Sequence, residues 1–177
     1  GTGESDKEYS SYGERHWTRK RFYRKCDMIC KSVMWIADRY GRIPDVIGLA
    51  EVENRGVLTK LLSSTLLRKY DYGIIHHNSG DRRGIDVALL YRKSVMRPLS
   101  TSFITPEDIQ TRDILHVNML CSSGKHMDFI VNHHPSKYGG AEESADRRLK
   151  VMNTLKSLCD SLVSSGSEGI VAMGDFN

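Results

Sequence analysis

No apolar run in this 177-residue chain approaches the roughly 18 residues that a membrane helix needs, which excludes a helical transmembrane span. Cysteine is scarce: the four are Cys26 and Cys30, one helical turn apart, and Cys121 and Cys159, far away in sequence. They form neither a Cys-x-x-Cys pair nor a Cys/His zinc spacing, so a structural zinc site and a dithiol redox motif are excluded. They read instead as buried free thiols acting as small hydrophobic residues. Internal repeats and low-complexity segments are absent, which excludes a repeat array. The opening Gly1-Thr2-Gly3 carries neither an initiator Met nor a signal peptide and reads as a boundary. Localisation therefore cannot be read from it.

What is present is an ordinary soluble globular composition, 39% hydrophobic and 27% charged, in 20.1 kDa. One domain spanning 1–177 is expected, long enough for a real core. The net charge of +4 and pI near 8.9 favour an anionic partner. Taken over the whole chain the excess is thin and is not a nucleic-acid footprint by itself.

The apolar spacing predicts a helix from Trp17 to Gly41, with Thr18 as N-cap and Phe22, Cys26, Ile29, Val33, Ile36 and Tyr40 on one face. Gly41 stops it and Pro44 forbids continuation. Asp45 to Ala50 reads as a buried strand, and a second helix is expected over 55–69 with Val57, Leu58, Leu61, Leu62 and Leu66 inward. A β-rich stretch follows: 72–77, 85–92, 95–104, 114–121 and 127–132, with turn chemistry at 78–84 and 122–125. A third helix is expected over 141–162, burying Leu149, Met152, Leu155, Cys159 and Leu162, before a last strand over 169–173. This order predicts a mixed α/β fold with hairpins inside, a sheet with helices on its outer face awaiting a second sheet.

Three strand ends carry chemistry. The first strand exits into Glu51-Val52-Glu53-Asn54, the hairpin strand into Asn132-His133-His134-Pro135-Ser136-Lys137, and the last into Gly174-Asp175-Phe176-Asn177. In open α/β sheets ligands gather at the carboxyl ends of strands. If the three ends meet, one cleft holds carboxylates, imidazoles, amides and the Lys137 cation. That set suits Mg²⁺, which takes oxygen ligands, keeps several waters and is held by one or two carboxylates plus substrate phosphate. Each piece alone has a plainer account. Glu51 and Glu53 suit a helix's first turn, His133 and His134 suit a polar loop, and Gly174-Asp175 suits a turn. Of His76 and His77, alternating on a strand, at most one can face a pocket.

The ordered combination resembles the endonuclease/exonuclease/phosphatase superfamily, which includes pancreatic DNase-type nucleases, abasic-site endonucleases, inositol-polyphosphate 5-phosphatases and bacterial sphingomyelinases. Asp45-Val-Ile-Gly-Leu-Ala-Glu51-Val-Glu53 is similar to the family segment whose first Glu is the main metal ligand, a role the resemblance gives to Glu51. Arg83-Gly-Ile-Asp-Val-Ala-Leu-Leu-Tyr91 and Val131-Asn-His-His-Pro-Ser-Lys-Tyr-Gly-Gly140 resemble segments of a bacterial subgroup. There the first His contacts the phosphate, which implies His133 rather than His134. Gly174-Asp-Phe-Asn177 is similar to the family motif whose Asp aligns the water and whose Asn contacts phosphate or the metal's shell.

The chain also departs from the family. Ala50 stands where most members have Gln, and His134 where the subgroup has Trp. No strand before Trp17 carries the family's Asn, and the family continues beyond this motif to a Ser-Asp-His-type segment. The resemblance thus implies a single, incomplete domain, about the first two thirds of a DNase I-like α/β sandwich. Its two mixed, largely antiparallel sheets would pack face to face with helices outside.

The implied function is a Mg²⁺-dependent phosphoesterase, with Mn²⁺ as a substitute, most simply a phosphodiesterase or nuclease. Glu51 would hold the metal, Asp175 would position or deprotonate water, and His133 and Asn177 would stabilise developing charge. Arg83 and Lys137 would neighbour the phosphate. Two alternatives share the fold: a phosphomonoesterase or lipid phosphodiesterase, and a non-catalytic module binding a phosphorylated ligand or protein. A calcineurin-type phosphatase would need a Gly-Asn-His-Glu element that this chain does not show.

Overall fold

The computed structural model describes residues 11–81, 84–137, 140, 142 and 144–177. Helix α1 (Arg19–Tyr40) begins at Thr18, whose hydroxyl accepts the Arg21 N–H, and ends at Gly41 in the left-handed conformation. Strand β1 (Val46–Val52) leads into α2 (Arg55–Ser64), capped by the Asn54 side chain. A 3₁₀ turn (Leu66–Tyr70) then precedes β2 (Tyr72–His76). Strands β3 (Asp86–Arg92), β4 (Met96–Ile104), β5 (Ile114–Cys121) and β6 (His126–His133) follow. Helix α3 (Ala145–Ser164) and β7 (Ile170–Asp175) complete the order.

The strands form two sheets, β1-β3-β2 and β4-β5-β6-β7. Every pairing is antiparallel except β6 with β7. Between the sheets lie Val87, Leu89, Leu115, Val117, Met119, Phe129 and Val131, with Met173 of β7 reaching in. Gly48 of β1 faces that thioether: a Cβ there would stand 2.6 Å from the Met173 sulfur. Helices α1 and α2 cover the outside of the first sheet over Leu90, and α3 covers the second over Ile114 and Ile130. The expected two-sheet α/β sandwich with helices outside is therefore the observed one. Among the described residues no helix is long and apolar enough to cross a membrane.

Three helix expectations shift. The row Cys26, Cys30, Val33 of α1 is buried, with Ala37 beside it, while Ile36 and Tyr40 of the offset row are exposed. In α3 Leu155, Cys159 and Leu162 pack inward as expected, joined by Val151 and Leu158, while Leu149 and Met152 face outward. Each helix carries two apolar rows stepping by three and four, and only contact with the sheet selects one. The second helix breaks at Thr65, whose hydroxyl donates to the Leu61 carbonyl and caps the Leu67 N–H. The resulting turn exposes Leu66 and buries Leu67. All four cysteines are free, Cys26 and Cys30 buried and Cys121 and Cys159 half-buried.

Candidate active site at the strand ends

Topology gathers the three motif-bearing ends. Strands β1 and β2 both run antiparallel to β3, so they end together. His77, just past β2, lies 3.9 Å from Asp113, just before β5. Because β5 pairs antiparallel with β6, the start of β5 is the finish of β6, and β7 runs alongside β6. The carboxyl ends of β1, β2, β6 and β7 thus share one rim of the sandwich.

His133 and Asp175 are partners in the parallel β6–β7 register and face each other, with His133 Nε2 3.9 Å from Asp175 Oδ2. The histidine side chain is 4% exposed and the aspartate 54%, so an anchored imidazole stands beside an open carboxylate. Asp175 Oδ1 accepts the Asn177 N–H at 2.9 Å, and Asn177 Nδ2 donates to the His134 carbonyl at 2.8 Å. The chain turns here because Gly174 permits it. Its φ is +134°, and a Cβ would lie 1.8 Å from the Asn132 carbonyl oxygen, so no other residue fits.

Glu51 reaches the rim by a different device. Leu49 pairs with Ala88 and Val52 with Asp86, so Ala50 and Glu51 together oppose Val87 in a β-bulge. In unbroken register Glu51 would pair with Asp86 on the outer face. The extra residue instead sends Val52 to that face, packed under α2 against Leu58, and leaves Glu51 exposed at the strand end. Glu51 has φ +58°, a left-handed conformation that costs a non-glycine residue about 1 kcal/mol. Such strain collects at functional positions.

Sequence reasoning missed Arg112. Its side chain is 3% exposed, paired at 3.2 Å with Asp81, whose side chain is 7% exposed. Its Nη2 lies 3.0 Å from His133 Nε2. A guanidinium can only donate, so Nε2 must accept and the imidazole is neutral with its proton on Nδ1. The Thr111-Arg112-Asp113 segment looks like ordinary loop charge in sequence. Only the β5–β6 register, extended from Leu115–Val131 to the His133 level, brings Arg112 beside the histidine.

The remaining expected groups divide. Lys137 lies exposed on the loop after β6. Arg83 lies outside the described residues. His134 is buried against Phe176, ring centroids 5.3 Å apart, and its Nε2 has no hydrogen-bond partner among the described residues. Burial, aided by the Arg112 and Arg148 cations and opposed by Asp175, holds its pKa below the usual histidine range. His76 is buried and His77 half-exposed, so only the latter faces outward.

Among the described residues no three His, Cys, Asp or Glu side chains converge as a closed metal cage. The available donors are oxygens on exposed or half-exposed carboxylates at one rim. That chemistry fits an ion of the Mg²⁺ class, which leaves most of its coordination to water and substrate.

The chain resembles solved structures of the same architecture. It matches humanized D. rerio TDP2 at TM-score 0.62 and 16% identity, covering 90% of this chain and 58% of that one. It matches D. rerio TDP2 complexed with a single-strand DNA product at TM-score 0.57 and 17% identity, covering 83% and 52%. The mannosyl-6-phosphatase of Bacteroides thetaiotaomicron matches at TM-score 0.62 and 14% identity, covering 88% and 57%. The chain thus spans a little over half the length of these proteins. No curated protein matches the sequence. The model of the Endonuclease/Exonuclease/phosphatase family matches residues 2–177, and the chain belongs to that family.

Proposed function

We propose that the protein is a metal-dependent phosphoesterase, most simply a phosphodiesterase of the nuclease type, acting at the rim formed by β1, β6 and β7. The observation that carries the reading is the register of β6 and β7, which sets a buried, tautomer-defined His133 against a half-exposed Asp175. Glu51 is the residue that would hold Mg²⁺, or Mn²⁺ in its place. A divalent ion bound there supplies Lewis acidity to a phosphoryl oxygen.

The chain's own groups do the rest. Asp175 is oriented through Oδ1 by the Asn177 N–H, which leaves Oδ2 to accept a proton from an attacking water. One N–H of the Asn177 carboxamide is committed to the His134 carbonyl, and the second is assigned to a phosphoryl oxygen. Arg112 brings positive charge to the His133 level, and His133, whose Nε2 accepts from it, holds that guanidinium where charge builds on the phosphorane. Lys137 sits on the loop beyond and serves the substrate phosphate at longer range; Arg83 is proposed for the same role.

The test uses plasmid DNA, bis-(p-nitrophenyl) phosphate and p-nitrophenyl phosphate, each with Mg²⁺ and with EDTA. Metal-dependent cleavage of a diester that Asp175→Asn and Glu51→Gln both abolish is expected. Turnover unchanged in both variants sinks the assignment. Cleavage of the monoester alone moves the reading to a phosphomonoesterase, the chemistry named for the Bacteroides relative. Binding of phosphorylated ligands without turnover moves it to the non-catalytic module.

A further inference from the structure

Counted by element, the positive charge of this chain is not thin at all. Residues 19–25, Arg-Lys-Arg-Phe-Tyr-Arg-Lys, carry five cations and no acid, while the net charge of the whole chain is +4. The other 170 residues therefore sum to −1, and the entire positive excess resides on the first two turns of α1. Arg19, Lys20, Arg21, Arg24 and Lys25 are all exposed. Among the described residues none of the five is in an ion pair. Arg19 lies over the Tyr23 ring at 5.6 Å, and Arg21 donates to the Arg15 carbonyl.

This placement works against the helix. Unsatisfied N–H groups and the macrodipole make a helix N-terminus positive, and cations there cost a few tenths of a kcal/mol each. The first turn of α1 holds no acid to offset them. Charge of one sign, concentrated where local stability disfavours it, is accounted for by an anionic partner that meets the N-terminal N–H groups and the side chains together.

The position of the helix says which part of the molecule that partner shares. Only residues 41–45 separate the end of α1 from the start of β1, and α1 packs over the outer face of the first sheet. The helix therefore returns antiparallel to β1, and its first turns lie toward the strand end that carries Glu51. At about 1.5 Å per residue its 22 residues span about 33 Å, against about 23 Å for the seven of β1. Its basic turns extend to the rim or past it.

We propose that the first two turns of α1 bind the phosphodiester backbone of a nucleic acid whose scissile segment enters the rim. The distribution favours a polymer. A small phosphorylated metabolite filling the rim would not reach a helix on the outer face of the sheet, whereas a strand continuing from the rim passes over it. Tyr23 stands among the cations with Arg19 over its ring, while Phe22 packs inward and anchors the basic turns to the core. The proposal names the substrate class of the rim, and it rests on the phosphoesterase reading only for its purpose, since binding is read without turnover.

The experiment is fluorescence anisotropy of labelled single-stranded DNA and RNA oligonucleotides in EDTA, titrated with the protein at several salt concentrations. In the triple variant Lys20→Glu/Arg24→Glu/Lys25→Glu the first change suits the first turn and the other two positions are exposed, so its melting point should not fall. It is expected to lose about tenfold or more in affinity at 0.1 M salt, with the slope of log K against log salt reduced by about 2. The swap Lys20→Arg/Arg24→Lys/Lys25→Arg should bind like the parent. Equal affinity and slope in parent and charge-reversed protein overturn the proposal. So does a parent that ignores both oligonucleotides and binds anionic phospholipid vesicles. Cleavage of bis-(p-nitrophenyl) phosphate, measured alongside, keeps the two readings apart. The charge-reversed variant should retain it, and a parent inert on it that still binds oligonucleotide through α1 sinks the catalytic reading alone.

Discussion

The second sheet holds two histidine–aspartate pairs, and they have opposite characters. His116 Nε2 meets Asp128 Oδ1 at 2.7 Å on the outer face near the end of α3. Asn118 Nδ2 donates to the same oxygen at 3.0 Å and the Ser167 hydroxyl donates to the other. Burial alone would raise the Asp128 pKa, but the bonds from Ser167, Asn118 and His116 outweigh it and hold the carboxyl below its usual range. Three side-chain donors thus close on this carboxylate, and together they latch the 165–168 loop to β5 and β6. His133 and Asp175 stand 3.9 Å apart instead, with the imidazole turned to Arg112 and the carboxylate more than half open to solvent. The same two residue types thus make a closed brace in one place and an open acceptor in the other. What separates them is how many donors the fold aims at the carboxylate.

The sharpest way to break this contrast is Asp175→Asn. It should lower turnover by about 10²- to 10⁴-fold, the worth of a positioned base. Its unfolding free energy should stay within about 1 kcal/mol of the parent, because little is buried there. A large loss of stability would make Asp175 a brace after all. Next comes Arg112→Met. It takes the Arg112 cation from the buried Asp81 carboxylate and should lower the unfolding free energy in urea by about 1–3 kcal/mol. It also frees the His133 tautomer, visible as a changed imidazole ¹⁵N spectrum. A spectrum identical to the parent's would refute the tautomer assignment.

Asp128→Ala reverses the first experiment. Three donors lose their acceptor, and about 1–3 kcal/mol of stability should go, while turnover follows only the folded fraction. Glu51→Gly is a smaller and more pointed change. Glycine relieves the left-handed strain at φ +58° and should stabilise the fold by up to about 1 kcal/mol while abolishing metal-dependent turnover. A destabilised variant would show that the bulge is held for packing rather than for the rim.

Acidification gives the smallest effects. The depressed pKa of His134, and that of His76, lowered chiefly by burial, mean that the unfolded chain takes up protons first. Stability should therefore decline as the pH falls below about 6.5, by no more than about 1.4 kcal/mol per pH unit for each histidine. Asp128, also depressed, contributes stability above its ordinary range that is lost below about pH 4. His134→Phe should flatten the first window, and Asp128→Asn the second. Unfolding curves at pH 7, 5.5 and 3.5 read both.

The rim is partly legible in the sequence. Glycine followed by a carboxylate after an apolar run marks position 174 in sequence, and the fold explains it by the Asn132 carbonyl that any Cβ would strike. The three strand ends were legible for the same reason, since each is an apolar stretch stopping at acceptor-rich residues. Arg112 was not, because a cation before a strand looks solvated until the partner strand's register is known. The bulge at Ala50 and Glu51 was equally silent, since alternation predicts one face and the extra residue overrides it. Ile36 and Tyr40 of α1 and Leu149 and Met152 of α3 face outward for a related cause: each helix presents two apolar rows, and propensity does not choose between them.

The sequence by itself determined the order of helices and strands, the turns that separate them, and the three motifs that place this chain in its family. Those are local matters of periodicity, capping and backbone permission, settled within a few residues of chain. Only the tertiary structure decided which apolar row is buried, that Arg112 holds the imidazole, and that Glu51 leaves the sheet's outer face. It also decided that the Asp128 carboxylate is closed while Asp175 stays open. These depend on register and on contacts between residues ten or more positions apart, information that no short window of sequence contains.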